Sequence, residues 1–157
     1  MKTLWIGAAA LLLVLQSDAR GGDTTAEQML EAHNRYRAEV KVPPLTWSTQ
    51  LAERAQKWAQ GLIDRNAWAH QGGEFGENLF EVSGGPGTPA SVVNAWVSER
   101  SDYDHETNSC RGRCGHYTQV VWRDTKQVGC GVARKDRREV WVCNYSPPGN
   151  IVGERPY

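Results

Sequence analysis

The chain of 157 residues balances 18 Lys and Arg against 18 Asp and Glu, so it has no broad field to attract nucleic acid, and that partner class is excluded. A hydrophobic share of 39% with 23% charged residues also excludes a disordered or fibrous chain and suffices for one compact domain.

In chain order, Lys2 precedes an uncharged run from Leu4 to Leu15, and the small residues Ser17 and Ala19 follow it. The run is well short of the roughly 20 apolar residues that a bilayer-spanning helix needs, so it reads as a secretory signal peptide over 1–19, cleaved after Ala19. The domain is then 20–157, with no transmembrane anchor. It is expected as a secreted, extracellular monomer, or a periplasmic one in a Gram-negative host.

Thr24 and Thr25 stand at capping-box spacing from Glu27 and Gln28, and Met29, His33, Tyr36 and Val40 recur on one helical face. A first helix is predicted over Ala26 to Val40, stopped by Pro43 and Pro44, which cannot continue a backbone ladder. Ser48 caps a second helix whose stripe of Leu51, Ala52, Ala55, Trp58, Ala59, Leu62 and Ile63 faces the core. Thr88 and Pro89 open a third, with Val92, Val93, Trp96 and Val97 inward. The stretches after Arg65 and between Ser101 and Gly115 read as polar connections. Trp47, Trp58, Trp96, Trp122 and Trp141 read as core.

Val128 to Val132 and Val140 to Tyr145 are strand-like and flank the charged turn KDRR, which predicts a hairpin centred between Asp136 and Arg137. That register sets Cys130 opposite Cys143 in a non-hydrogen-bonded pair, where Cα atoms about 4.5 Å apart lie within disulfide reach. Cys110 and Cys114 are left to close a small loop. A thiolate metal site is the rival reading, but the spacings lack paired CxxC motifs and export favours disulfides.

Of the four histidines, His33 reads as a satisfied core residue and His105 has no motif around it. His70 lies seven positions before Glu77, and His116 follows Cys114, with Glu99 placed on the third helix. Two imidazoles and two carboxylates form a divalent-metal or acid/base site if the fold brings them together, which spacing alone does not decide. HExxH, GxSxG and nucleotide-binding glycine signatures are absent from the sequence. Asn144 in NYS is a formal glycosylation sequon on a strand, followed by proline.

The segments AHNRYR from Ala32, FGENLF from Phe75, GHYTQVVW from Gly115 and VCNYSPPGN from Val142 together resemble the CAP superfamily of cysteine-rich secretory, antigen 5 and pathogenesis-related class 1 proteins. The resemblance implies an α+β fold, a three-layer α-β-α sandwich with a small antiparallel sheet between helices. It also implies a short helix at YTQVVW, which spacing alone reads as a strand. It carries over a cavity tetrad in which His70 and His116 bind a divalent cation such as zinc, with Glu77 and Glu99 in support through water or hydrogen bonds. A sterol or fatty-acid ligand and an extracellular protein partner are further implications. The leading reading is a non-enzymatic binding module. The alternative is a metal-assisted hydrolase with Glu77 or Glu99 as general base. Plant members commonly carry six cysteines against four here, and the cysteine expected near DRNAWAH is missing. Pro147 to Tyr157 matches the tail that plant members can release as a signalling peptide.

Overall fold

A computed structural model describes residues 24–157; the signal peptide read at 1–19 lies outside the described residues. Helix α1 (Thr25–Glu39) opens on the capping box of Thr24 and Glu27. It ends before the prolines. Lys41 takes a left-handed backbone (φ 60°), its N–H donates to the Ala38 carbonyl, and that of Val42 donates to Arg37, so a Schellman-type cap stops the helix.

Strand β1 (Thr46–Trp47) leads into α2 (Thr49–Asp64), where the Ser48 side chain accepts from the Leu51 N–H. After a connection come β2 (Gly76–Ser83) and α3 (Pro89–Val97), the latter capped by Thr88 with Pro89 in its first turn. A 3-10 turn (Ser98–Asp102), the short strands β3 (Tyr103–Asp104) and β4 (Ser109–Cys110), and α4 (Gly115–Val120) follow. The chain closes the sheet with the hairpin of β5 (Gln127–Lys135) and β6 (Arg138–Ser146).

The main sheet has the order β1-β5-β6-β2. Its antiparallel β5–β6–β2 centre agrees with the expected architecture, and two-residue β1 adds a parallel pairing at the β5 edge. Strand β6 shows why there are three layers. Trp141, Cys143 and Tyr145 pack with Met29, Val93 and Trp96 of α1 and α3, while the alternate residues Val140 and Val142 pack with Ala55, Ala59 and Leu62 of α2. Both faces of the strand are buried, so helices cover the sheet on either side.

Helix α2 lies close to β5 because Gly129 and Gly131 lack side chains. A Cβ at Gly129 would collide with the backbone of Ser48 and Ala52, and one at Gly131 with the backbone of Gln56. The hairpin pairs Cys130 with Cys143 as its register predicts, their Cα atoms 4.1 Å apart and joined by a disulfide. Cys110 and Cys114 form the second disulfide, and none of the four cysteines is free.

The segment YTQVVW is helical over its first part, within α4, as the resemblance implies and spacing does not. Strand β2 falls in a stretch read as connection. No described helix is long and apolar enough to cross a membrane. The C-terminal residues lie across the β3–β4 hairpin: Arg155 donates to the carbonyls of His105 and Glu106, and the Tyr157 ring stacks on His105 with centroids 4.6 Å apart.

Candidate functional site

His70 comes from the connection between α2 and β2, and Glu77 from the second residue of β2. The Nδ1–H of His70 donates to Glu77 Oε1 at 2.7 Å, and the Gln71 backbone N–H donates to the same oxygen at 3.0 Å. The side chain of Glu77 is only 7% exposed whereas that of His70 is 61% exposed, so the carboxylate is a buried anchor and the imidazole its exposed end. The Asn144 amide reaches Glu77 Oε2 at 3.5 Å. That asparagine is 1% exposed, which closes the sequon to an oligosaccharide.

His116 is presented in the first turn of α4 and Glu99 in the 3-10 turn, one element later than the helix on which sequence placed it. Glu99 Oε2 accepts the backbone N–H of His116 at 2.9 Å, and Oε1 accepts the ring Nδ1–H at 2.7 Å. The Trp96 indole lies nearly parallel to the His116 ring (25°), with centroids 6.4 Å apart. Both imidazoles therefore spend Nδ1 on a carboxylate, which leaves Nε2 as the free nitrogen of each ring.

His70, His116 and Glu99 line one cleft of about 900 Å³, with Glu77 bonded behind His70. The four residues gather as two His–Glu pairs. Among the described residues no group of three or more His, Cys, Asp or Glu side chains is arranged to hold a metal. The donor chemistry still suits a borderline cation, because neutral imidazoles backed by carboxylates are standard zinc ligands. Asn144 Oδ1, on the amide that reaches Glu77, is buried without a partner among the described residues, so acceptor capacity remains behind His70.

A buried polar line reaches the site from α1. His33 is fully buried, bonding Met29 O through Nδ1 (2.7 Å) and the Tyr145 hydroxyl through Nε2 (2.9 Å), and burial pushes its pKa down to about 4. Asn78 Nδ2 donates to both the Tyr145 hydroxyl and the His116 carbonyl. His33 is thus the satisfied core residue that sequence expected, and it also helps support the backbone of His116. His105 stays outside the cleft, against the C-terminal residues.

Sequence reading missed Asn78, and it missed two cleft residues, Trp68 and Arg113. Trp68 is 52% exposed, while Trp96, Trp122 and Trp141 are buried as expected. Its position between two alanines in a polar stretch, outside any apolar period, was the available signal.

Residues 30–145 match the model of the cysteine-rich secretory protein family. The chain is 45% identical over 157 residues to pathogenesis-related protein 1A of Nicotiana tabacum, covering 98% of this chain and 93% of that protein. It is 39% identical over 150 residues to pathogenesis-related protein 1 of Arabidopsis thaliana, covering 95% and 92%. Among solved structures, it is similar to venom allergen-like protein 4 of Schistosoma mansoni, with TM-score 0.70, 27% identity and coverage of 86% and 94%. It also shares the fold of NaASP2 with Zn2+, with TM-score 0.72, 24% identity and coverage of 88% of each chain.

Proposed function

The chain belongs to the cysteine-rich secretory protein family, and on that premise we propose that it is an extracellular, non-enzymatic binding module whose cleft takes a divalent cation between His70 and His116. The observation that carries the proposal is the pair of His–Glu hydrogen bonds, each 2.7 Å, which fix both rings with Nε2 free. Two imidazoles would leave the remaining positions of a zinc ion to water or to a ligand. Export accords with the leader read at 1–19 and with two disulfides, which suit an oxidising compartment.

The carboxylate geometry favours binding over hydrolysis. Glu99 gives both oxygens to His116, and Glu77 accepts from His70, Gln71 and Asn144, so neither is held ready to take a proton from water. A sterol or fatty acid, the other ligand class the resemblance implies, would need an apolar concavity. A concavity lined by Ala26, Trp47, Val132 and Trp141 holds about 250 Å³, below the usual range of roughly 300–1,000 Å³ for ligand pockets. The cleft of about 900 Å³ carries both imidazoles, Asp102 and Arg113 beside its apolar residues, and on those groups we assign it to polar ligands. For an extracellular protein partner, the exposed Ile151–Val152 turn is the apolar surface on offer, Val152 being 99% exposed.

Calorimetric titration with Zn2+ tests the proposal. Saturable binding near one equivalent is expected in the wild type and its loss in His70→Ala/His116→Ala; unchanged binding in that double variant refutes it.

A further inference from the structure

Trp68 stands out because its exposure is built in. The residues on either side are pinned: Ala67 N–H donates to Leu62 O, Ala67 O accepts from Arg138, and Ala69 O accepts the Trp58 indole N–H at 3.0 Å. A large indole at 52% exposure on a backbone so held costs hydrophobic burial, and it lines the cleft with His70 and His116. The rest of the wall mixes the apolar Leu79, Phe80 and Trp96 with polar groups. Asp102 supplies acceptor oxygens, Glu81 and Glu99 are already bonded to Arg138 and His116, and Arg113 supplies a guanidinium that makes no hydrogen bond or ion pair among the described residues.

We infer that this cleft binds a short oligomer of pyranose sugars, with Trp68 as the stacking platform. A pyranose ring has an electropositive C–H face and a rim of hydroxyls. The C–H face matches the negative face of an indole. The hydroxyl rim matches a wall of carboxylates and a guanidinium, where each O–H···O⁻ or N–H⁺···O bond is charge-assisted. A volume of about 900 Å³ accommodates several rings.

The inference rests on the cleft being the ligand site, and its test separates the two ideas. Cellohexaose, laminarihexaose and chitohexaose are titrated into the full-length secreted protein, read by tryptophan fluorescence and calorimetry, with Zn2+ titrated in parallel. Saturable binding of at least one oligomer is expected, weakened about tenfold by Trp68→Ala and largely retained by Trp68→Phe, with zinc binding and melting temperature unchanged by both. The three probes separate glucan linkages from N-acetylated sugar. Absence of saturable binding to all three, or binding indifferent to Trp68→Ala, overturns the inference even where zinc binds. Loss of zinc binding alone strikes only the cation proposal.

Discussion

Glu99 receives two hydrogen bonds from the same residue, the backbone N–H and the ring Nδ1–H of His116, at 2.9 and 2.7 Å. One carboxylate thereby fixes both the position and the tautomer of that imidazole. Glu99→Gln turns one accepting oxygen into an NH2 that faces an N–H of His116, so zinc affinity should fall about 10- to 100-fold and the unfolding midpoint should fall with it. Calorimetry beside urea denaturation reads both; an equal affinity would remove Glu99 from any tuning role.

The core histidine should set part of the acid sensitivity. Burial holds His33 neutral, with its pKa at about 4 against an ordinary value of 6.5. The unfolded chain therefore binds the extra proton between those values. The resulting stability is complete above pH 6.5, declines as pH falls towards 4, and changes no further below it. Its size is about 3 kcal/mol by linkage. The stability gap between wild type and His33→Gln, measured in urea at pH 7 and pH 4, should narrow by that order as the medium is acidified.

Arg37 is fully buried without a carboxylate partner among the described residues and donates instead to the carbonyls of Pro43, Val120, Trp122 and Thr125. Burial lowers its pKa only to about 10, so the cation persists at neutral pH. Arg37→Ala leaves four carbonyls short of a donor and should cost roughly 3–5 kcal/mol. Denaturant midpoints compared with Arg37→Lys check it, since lysine restores charge but not the fork.

The two disulfides should differ in reactivity and in worth. Cys110 is exposed, whereas Cys143 is fully buried in the sheet. Mild dithiothreitol followed by alkylation and peptide mapping should label Cys110 and Cys114 first. In the chain-entropy picture, loss of Cys130–Cys143 costs about 3 kcal/mol and loss of the smaller loop about 2. Paired serine variants compared in urea test that order.

Much of the scaffold is legible in the sequence because its signals are local. Thr24, Ser48 and Thr88 each cap the predicted helix, and the hairpin centre at Asp136–Arg137 fixes the Cys130–Cys143 pairing arithmetically. Strand β2 escapes because Leu79 and its neighbours are buried without clean alternation, in a strand pressed between layers. Arg37 escapes because three of its four partners, Val120, Trp122 and Thr125, lie more than eighty residues away. Of the candidate site, Glu77 and His116 lie in the family-like segments, while His70 and Glu99 belong to separate elements that only the fold unites. Trp68 and Arg113 lay outside those segments or between them, and only their shared wall gives them meaning.

The central claim is that two carboxylate-anchored imidazoles act on one cation. Long-range 1H–15N spectra of histidine-labelled protein during a zinc titration test it most directly. His70 and His116 should both begin as the Nδ1–H tautomer, and both Nε2 signals should shift together, saturating at a single equivalent. A shift confined to one ring, or two independent titrations with separate stoichiometries, would contradict it.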